Sequence, residues 1–466
     1  MTRTRTNSSV AADLMIELRR GDGVPLHRQI ETSIREGIRS GRLPVGTSLP
    51  PTRTVAADLR VSRGVVVEAY QQLVAEGYLT SEAGGYTRVA TGPRPAAVRT
   101  EPARTEPPRI DFRYGRADAA QFPRAAWLRS IRRVLTEAPN DRFTYLDGRG
   151  VPELHQALSD YLNRVRGTSA TPDSMVICSG YGQAVNLLCQ VLVRSGAKRV
   201  VVEDPCPDDD ARQAAESAGL EVVGVPVGPD GIRVDVLDRI AADAVVLTPS
   251  HQWPTGAVLS AEGRAGVLRW ANRHHALVVE DDYDAEYRYD KAPIGALQGL
   301  DPDHVVYAGT ASKTLAPGLR LGWLVLPAHL LAPVAAAKVA ADRGSAALDQ
   351  LAFADFLTHG EFDRHLRRMR PVYRRRRDAL LSTLEQRLPR LRPAGVSAGF
   401  HLVTWLPPEL DETDVVRRAA ERGVGVYGVT PYRIAPGEPG LLFGYAGLAE
   451  RAIAEGVEIL ASVIDG

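Results

Sequence analysis

The sequence predicts two folded units of different class, a small α+β unit at the N terminus and a larger α/β unit after it. Three helical patterns and a hairpin pattern fall within residues 25–90. Farther along the chain, apolar runs of strand character end in polar groups, as in an α/β sheet that delivers ligand groups at its strand ends. Residues 91–110 hold five prolines and almost no large apolar side chain, which predicts an extended linker.

The first predicted helix covers residues 25–40. Its apolar residues recur at a helical spacing and would bury one face, at Leu26, Ile30, Ile34 and Ile38. Pro51 can stand in the first turn of a second short helix that ends near Arg60. Ser62 can cap a third helix over residues 62–77, because its hydroxyl can accept from an N–H group of the first turn. The inward side chains of that helix would be Val66, Tyr70 and Leu73.

Residues 78–90 complete the small unit with two short strands. The strands would meet at Gly84 and Gly85, which can take the positive φ angles of a tight hairpin turn. Three helices followed by a hairpin predict a winged helix-turn-helix over residues 25–90, preceded by a tail over residues 1–24.

The segment from residue 49 to residue 79 reads LPPTRTVAADLRVSRGVVVEAYQQLVAEGYL. It resembles the GntR-type DNA-binding signature almost from end to end. The resemblance implies double-stranded DNA as a partner and places Arg53, Ser62 and Arg63 against the duplex. Arg63, at a helix N terminus, suits base edges, whereas Arg53 suits a phosphate or a guanine. Without the resemblance, both arginines would be interpreted as solvated surface side chains.

In the large unit, residues 309–322 read GTASKTLAPGLRLG. Hydroxyls at Thr310 and Ser312 stand beside the amine of Lys313, and Arg320 follows seven residues later. Hydroxyls and a guanidinium can bind a phosphate dianion while the amine forms a Schiff base with an aldehyde. This combination indicates pyridoxal 5′-phosphate (PLP). The string SKTLAPGLRLGW also resembles the lysine motif of fold-type I aminotransferases, which implies that Lys313 carries the cofactor.

A second signal lies in residues 276–289, ALVVEDDYDAEYRY, where an apolar run ends in carboxylates. PLP needs an acid against its pyridine nitrogen, and a nearby phenol can hydrogen-bond the ring 3′-oxygen. We assign these roles to Asp281 and Tyr283. Asp282 remains the alternative to Asp281, because the sequence does not fix which neighbour points inward.

Three further segments fit the same cofactor. Residues 175–188 predict a strand, a turn and a helix start, so the backbone of Gly180, Tyr181 and Gly182 can hold a phosphate at a helix N terminus. Residues 248–256, TPSHQWPTG, resemble the Pro-Thr-Gly loop that crosses the cofactor in this superfamily, and His251 is counted with the cofactor-binding residues. Tyr145 resembles the tyrosine that reaches the phosphate of the neighbouring subunit.

A GntR-type head, a proline-rich linker and an aminotransferase-like body over residues 111–466 together resemble the MocR/GabR family of bacterial transcriptional regulators. The resemblance implies a PLP-dependent transferase fold with a small C-terminal α/β subdomain. It also implies a head-to-tail homodimer that binds operator DNA and responds to a small-molecule effector. An effector can act on the heads only through its differential affinity for two conformations.

Two departures from the enzyme pattern favour a regulator whose signal is PLP itself, as in the pyridoxine-synthesis branch of the family. Leu442 stands where aminotransferases carry the arginine that binds the substrate carboxylate, and Arg433 is a candidate substitute. The loop over residues 203–212 lacks the aromatic side chain that would stack on the pyridine ring. The alternatives are a working aminotransferase with an attached DNA-binding head and a GntR repressor with a purely structural body.

Composition also indicates the general class of protein and its location. The formal net charge is +1, and 44% hydrophobic against 24% charged residues is typical of a globular protein. We expect a cytoplasmic protein without a membrane span or signal peptide. The three cysteines lack metal-ligand spacing, so we expect reduced thiols and no metal. Pro371 interrupts the basic run over residues 364–377, and we interpret the segment as a helix with a solvated arginine face and no DNA contact.

Overall fold

The structure is a computed structural model that describes residues 14–20, 23–81, 86–90, 107–115, 117–207, 211–289 and 294–465. The chain divides into two compact units, residues 1–105 and 106–466. The predicted turn residues Gly84 and Gly85 and most of the predicted linker lie outside the described residues. The last linker residue, Ile110, already belongs to a strand of the large unit.

Within its described residues, the small unit contains three helices and a two-stranded antiparallel sheet: α1 (Leu26–Arg39), α2 (Thr52–Asp58), α3 (Arg63–Ala75), β1 (Leu79–Thr80) and β2 (Arg88–Val89). Its core is built from the predicted apolar faces. Ile30 and Ile34 of α1 pack with Val66 and Leu73 of α3, and all four are fully buried. The winged helix-turn-helix prediction is therefore confirmed.

Ser62 is the N-cap of α3, but the predicted capping hydrogen bond is wrong. The Ser62 hydroxyl accepts no hydrogen bond from the first turn, where the Val65 N–H donates instead to the Ser62 carbonyl at 3.2 Å. Pro51 is likewise the N-cap of α2 and not its first helical residue. The Ser62 hydroxyl is therefore not used within the helix cap.

The large unit begins with short strand β3 (Ile110–Asp111) and contains a mixed sheet covered by helices. The strands of that sheet are β4 (Met175–Cys178), β5 (Arg199–Asp204), β6 (Glu221–Gly228), β7 (Gly231–Ile232), β8 (Ala244–Leu247), β9 (Leu277–Asp282), β10 (Val305–Thr310) and β11 (Gly322–Val325). Helices of this part of the chain are α4 (Arg124–Glu137), α5 (Pro152–Arg166), α6 (Tyr181–Arg194), α7 (Gln213–Ala218), α8 (Val234–Leu237), α9 (Ala261–His274), α10 (Ala328–Asp342) and α11 (Ala347–Thr358).

The order of the strands in this sheet is β4, β11, β10, β9, β8, β5, β6 and β7. Strands β10, β9, β8, β5 and β6 run parallel, whereas β11 is antiparallel to both of its neighbours. Strands β5, β8, β9 and β10 are largely buried, as expected for a sheet covered on both faces, whereas β6 is only partly buried. Their carboxyl ends therefore meet at one edge, where ligands bind in open α/β sheets.

A C-terminal subdomain follows, as predicted. It comprises α12 (Glu361–Arg387), β12 (Arg392–Ala394), β13 (His401–Trp405), α13 (Glu412–Glu421), β14 (Val424–Gly425), β15 (Tyr427–Gly428), β16 (Gly440–Gly444) and α14 (Glu450–Ile464). Strands β12, β13, β16 and β15 form an antiparallel sheet, and β14 pairs with β3. The basic run lies in α12, which continues through Pro371, and Leu366, Met369 and Tyr373 anchor the helix in the core.

No helix within the described ranges is long and apolar enough to cross a membrane. In the same part of the chain, no group of three or more His, Cys, Asp or Glu side chains is arranged to hold a metal ion. Cys178 and Cys189 are buried in an apolar cluster. Burial raises the pKa of Cys178 to about 12 and that of Cys189 to about 11, so both side chains are thiols near neutral pH.

Candidate functional site

A cavity of about 540 Å³ lies where β9 and β10 end and α6 begins. Sequence segments far apart in the chain converge on it. The predicted site residues that line it are Tyr181, Gly182, Asp281, Tyr283, Thr310, Ser312, Lys313 and Arg320. Pro207, Trp253 and Pro317, which also line it, lie in segments that the sequence indicated without naming these residues. The other lining residues, which the sequence did not indicate, are Arg113, Tyr114, Gly115, Phe400 and His401.

Lys313 lies in the turn that follows β10, directly on the cavity. Its amine donates a hydrogen bond to the Gly115 carbonyl at 2.7 Å. Gly115 has a φ of +71°, and a Cβ atom there would lie 3.2 Å from the lysine Nζ. Glycine therefore serves both the backbone conformation and the close approach of the amine.

One end of the cavity has the groups of an anion site. The Arg320 guanidinium donates to the Ser179 carbonyl, beside Gly180 at the N terminus of α6. A Cβ atom at Gly180, whose φ is +91°, would lie 2.8 Å from that guanidinium, so only glycine leaves room for it. Thr310 donates to the Ser312 hydroxyl at 3.0 Å, which brings two hydroxyls to the same end. A helix N terminus, a guanidinium and hydroxyls together suit a phosphate.

A buried lysine stabilises the turn at the anion-site end of the cavity. Lys338 of α10 is fully buried and donates to Gln183 at 2.8 Å, Asp342 at 2.5 Å and Ser345 at 2.9 Å. Gln183 in turn accepts from the Ser179 N–H at 2.8 Å. The turn before α6 is thus held by hydrogen bonds from residues about 160 positions away in the chain. No sequence pattern indicated this contact.

The two neighbouring carboxylates at the end of β9 face in opposite directions, as successive strand residues must. Asp281 lines the cavity. Asp282 points away from it, forms a buried ion pair with Arg166 at 2.6 Å and accepts from the Tyr307 hydroxyl at 2.7 Å. Asp281 is therefore the carboxylate that a ligand in the cavity can reach, and Asp282 belongs to the core.

Tyr283 lines the cavity and donates to the backbone carbonyl of His251 at 2.9 Å. The His251 side chain is buried behind the cavity wall, where its Nδ1 atom lies 2.9 Å from Asp284 and 3.1 Å from the Tyr283 hydroxyl. Burial raises the pKa of Asp284, and the contact with His251 opposes that shift. His251 therefore positions Tyr283 and does not itself line the cavity.

Neither Leu442, at the position of the aminotransferase arginine, nor Arg433, the candidate substitute, lines the cavity. Leu442 of β16 is fully buried and packs with Trp253 and Val403. Arg433 lines a different cavity, where it donates to the Glu438 carbonyl at 2.8 Å and its guanidinium carbon lies 5.7 Å from the centre of the Trp405 ring. The suggestion that Arg433 replaces the missing arginine is therefore not supported by its position.

The predicted DNA-contacting residues are grouped on the small unit. Arg53 lies on α2, and Ser62 and Arg63 lie at the N terminus of α3. All three are exposed. In the large unit, the Tyr145 side chain is 91% exposed and contributes nothing to the cavity of its own chain.

Comparisons with known proteins agree with these two units. The profile of the family described as bacterial regulatory proteins, gntR family, matches residues 26–89, and that of aminotransferase class I and II matches residues 113–460. The probable rhizopine catabolism regulatory protein MocR of Rhizobium meliloti is 34% identical, over 96% of this chain and 95% of that protein. The HTH-type pyridoxine biosynthesis transcriptional regulator PdxR of Corynebacterium glutamicum is 30% identical, over 93% and 95%.

Among solved structures, an archaeal alanine:glyoxylate aminotransferase superposes with a TM-score of 0.71 and 28% identity, covering 76% of this chain and 90% of that chain. The fold and the cavity define a transcriptional regulator in which a winged helix-turn-helix is joined to a PLP-binding aminotransferase fold. The chain belongs to the MocR/GabR family of such regulators.

Proposed function

We propose that this protein is a homodimeric regulator that binds operator DNA and whose signal is PLP itself. The observation that carries the proposal is a contrast within one cavity. Lys313, Arg320 and Asp281 converge on it with the chemistry that PLP requires, whereas the buried Leu442 occupies the position of the aminotransferase arginine. The name of the Corynebacterium relative, a pyridoxine biosynthesis regulator, supports the same signal.

The donor set fits the cofactor residue by residue. Lys313 would hold PLP covalently, and Arg320 with the N terminus of α6 would bind its phosphate. Asp281 would pair with the ring nitrogen, and Tyr283 would reach the ring oxygen. When bound, PLP supplies an electrophilic carbonyl carbon and an electron sink. Tyr181, Thr310 and Ser312 line the same cavity and would complete its enclosure.

A second candidate function is amino-acid transamination by the large unit, and the intact lysine site favours it. Sustained turnover of an amino acid with a keto acid would support this candidate over the regulator. The buried apolar contact between Leu442 and Trp253 argues against it, because a substrate carboxylate needs a guanidinium partner.

The homodimer is proposed from the exposed apolar surface of the large unit. Leu128 and Leu135, about two turns apart on one face of α4, are 56% and 60% exposed, and Tyr145 is exposed nearby in sequence. A second copy of the chain would cover this face, and the family resemblance implies that Tyr145 then reaches the partner's phosphate site. Sedimentation of the full chain would test this association.

Arg63→Ala is expected to weaken specific operator binding by about 1 to 3 kcal/mol and to relax sequence preference at one position per half-site, because a base-edge contact is lost. Arg53→Ala, if it removes a phosphate contact, should weaken all DNA sequences alike and flatten the salt dependence. Gel-shift titrations at several salt concentrations measure both effects. Arg194→Ala, at an exposed arginine of the large unit, is the control. Retention of full specificity by Arg63→Ala would refute the base-edge contact assigned to Arg63.

Addition of PLP to the cofactor-free protein is expected to change operator affinity by about 1 to 3 kcal/mol, the usual size of an allosteric coupling. Amino acids should have little further effect, because no guanidinium occupies the Leu442 position. The measurement titrates cofactor-free protein onto operator DNA with and without PLP, then with PLP plus γ-aminobutyrate, taurine, alanine or glutamate. If PLP leaves the affinity and footprint unchanged while one of these amines shifts either, the signal is that amine.

A further inference from the structure

The cavity is chemically divided. The groups assigned to PLP, among them Lys313, Asp281 and Arg320, supply its charges and hydroxyls. The wall contributed by Tyr114 and Trp253 is aromatic. These two side chains come from the segment after β3 and the loop after β8, so separate parts of the fold build one surface.

The aromatic surface is held rigidly from behind. The rings of Tyr114 and Trp253 lie 5.1 Å apart, and the Tyr432 ring packs edge-on against each of them, at 5.8 and 4.8 Å. The hydroxyls of Tyr114 and Tyr432 also hydrogen-bond each other. Tyr432 does not line the cavity, so it acts as a support that fixes the two cavity-facing rings.

Neither of the positions expected to bind a carboxylate offers a charge here. Leu442 is fully buried in the same apolar cluster as Trp253, and Arg433 lines another cavity. His401, which also lines the site, is neutral because burial and the nearby His251 lower its pKa to about 3. An uncompensated carboxylate would therefore be placed against aromatic and apolar groups, which is unfavourable.

Arg113 is the one guanidinium besides Arg320 that lines the cavity within the described part of the chain. It is exposed, and its guanidinium carbon lies 5.6 Å from the centre of the Tyr427 ring, which stands behind the aromatic wall. A solvated cation at this place gains little from a carboxylate ligand. Arg113 is nevertheless the side chain that the experiment below must exclude.

We propose that the aromatic side of the cavity recognises a primary amine with an apolar or aromatic body and without a carboxylate on the carbon that bears the amino group. The inference rests on the proposed function, because the amine would be presented to a PLP molecule held by Lys313. Tyr114 and Trp253 contribute flat apolar surface, and the site disfavours the charge that distinguishes an amino acid from the corresponding amine.

The test compares 2-phenylethylamine with L-phenylalanine, which differ only by the carboxylate. Each is titrated into the PLP-loaded full chain, and the visible absorbance and operator affinity are followed. The amine should produce the spectral change at a concentration at least about tenfold lower than the amino acid, because the carboxylate loses hydration without a partner. Equal or tighter action of L-phenylalanine overturns the proposal.

Two substitutions test which side chain sets the preference between 2-phenylethylamine and L-phenylalanine. Leu442→Arg should shift the preference toward L-phenylalanine, because it restores a guanidinium at the aminotransferase position. Arg113→Gln should leave the preference unchanged, and a loss of L-phenylalanine binding in this variant would identify Arg113 as an anchor and overturn the proposal even if Leu442→Arg fails to fold. Arg109→Gln, at an exposed arginine paired with Glu455, is the matched control.

The outcomes also separate this inference from the function on which it rests. A visible PLP band that neither ligand perturbs would refute the amine preference and leave PLP sensing intact. The absence of any PLP band from the reconstituted protein would refute the proposed function, and the amine preference with it.

Discussion

Replacement of Lys313 by alanine is expected to abolish covalent attachment of PLP completely. The amine is the one lysine nitrogen that lines the cavity within the described residues, and its contact with Gly115 at 2.7 Å fixes it there. No neighbouring hydroxyl or carboxylate can form the same C–N bond. The visible absorbance of the reconstituted protein should therefore disappear, and borohydride reduction of the parent followed by peptide mass spectrometry should find the cofactor on residue 313.

Lys198→Ala is the matched control, because Lys198 is an exposed lysine away from the cavity. Its visible absorbance should equal that of the parent. Recovery of the reduced cofactor on a peptide without residue 313 would show that the assignment is wrong. Loss of the band in both variants would instead indicate a general defect in reconstitution.

The parts of the site that are contiguous in sequence were predictable. Lys313 and Arg320 lie in one motif, and Gly180 lies in another, because a single turn must present several backbone groups at once. Motifs of this kind are predictable because the local geometry of one turn determines them. The three helices of the small unit were predictable for the same reason, since their apolar spacing repeats within each helix.

The choice between Asp281 and Asp282 required the structure. Neighbouring strand residues face opposite sides, but the sequence does not state which side is the cavity. The answer depends on Arg166, which binds Asp282 from the end of α5, more than a hundred residues earlier in the chain. A partner at such a distance leaves no local pattern.

Whether Arg433 could bind a substrate carboxylate also depended on contacts between distant parts of the chain. Arg433 was a candidate from its position in the chain, yet the fold turns it toward Trp405 and Glu438. The loss of the arginine at position 442 was visible in the sequence, whereas the burial of Leu442 in a cluster with Trp253 was not.

The Ser62 capping prediction failed for a different reason, because a residue suited to a cap is not obliged to make the hydrogen bond.

Arg166→Met is expected to produce the largest loss of stability, about 3 to 5 kcal/mol, because it leaves a buried carboxylate without its ion-pair partner. The Arg166 and Asp282 side chains are 1% and 3% exposed, and their ion pair is 2.6 Å long. Arg166 also donates to the Ser250 hydroxyl at 2.9 Å and to the Ile294 carbonyl. Glu280 adds to the cost, because burial and the charge of Asp282 already raise its pKa to about 7.

Urea unfolding of the full chain, followed by tryptophan fluorescence, measures this loss in the large unit alone, since all five tryptophans lie after residue 106. Arg164→Met is the control two residues earlier on α5. Its side chain is 58% exposed and pairs with Asp363 at the surface, so the expected loss is below about 1 kcal/mol.

Combining Arg166→Met with Asp282→Leu should recover part of the stability, because the unpaired buried charge is removed with its partner. Equal losses in the Arg164 and Arg166 variants would show that the buried pair is no stronger than a surface pair and that Asp282 is neutralised in the core by other means.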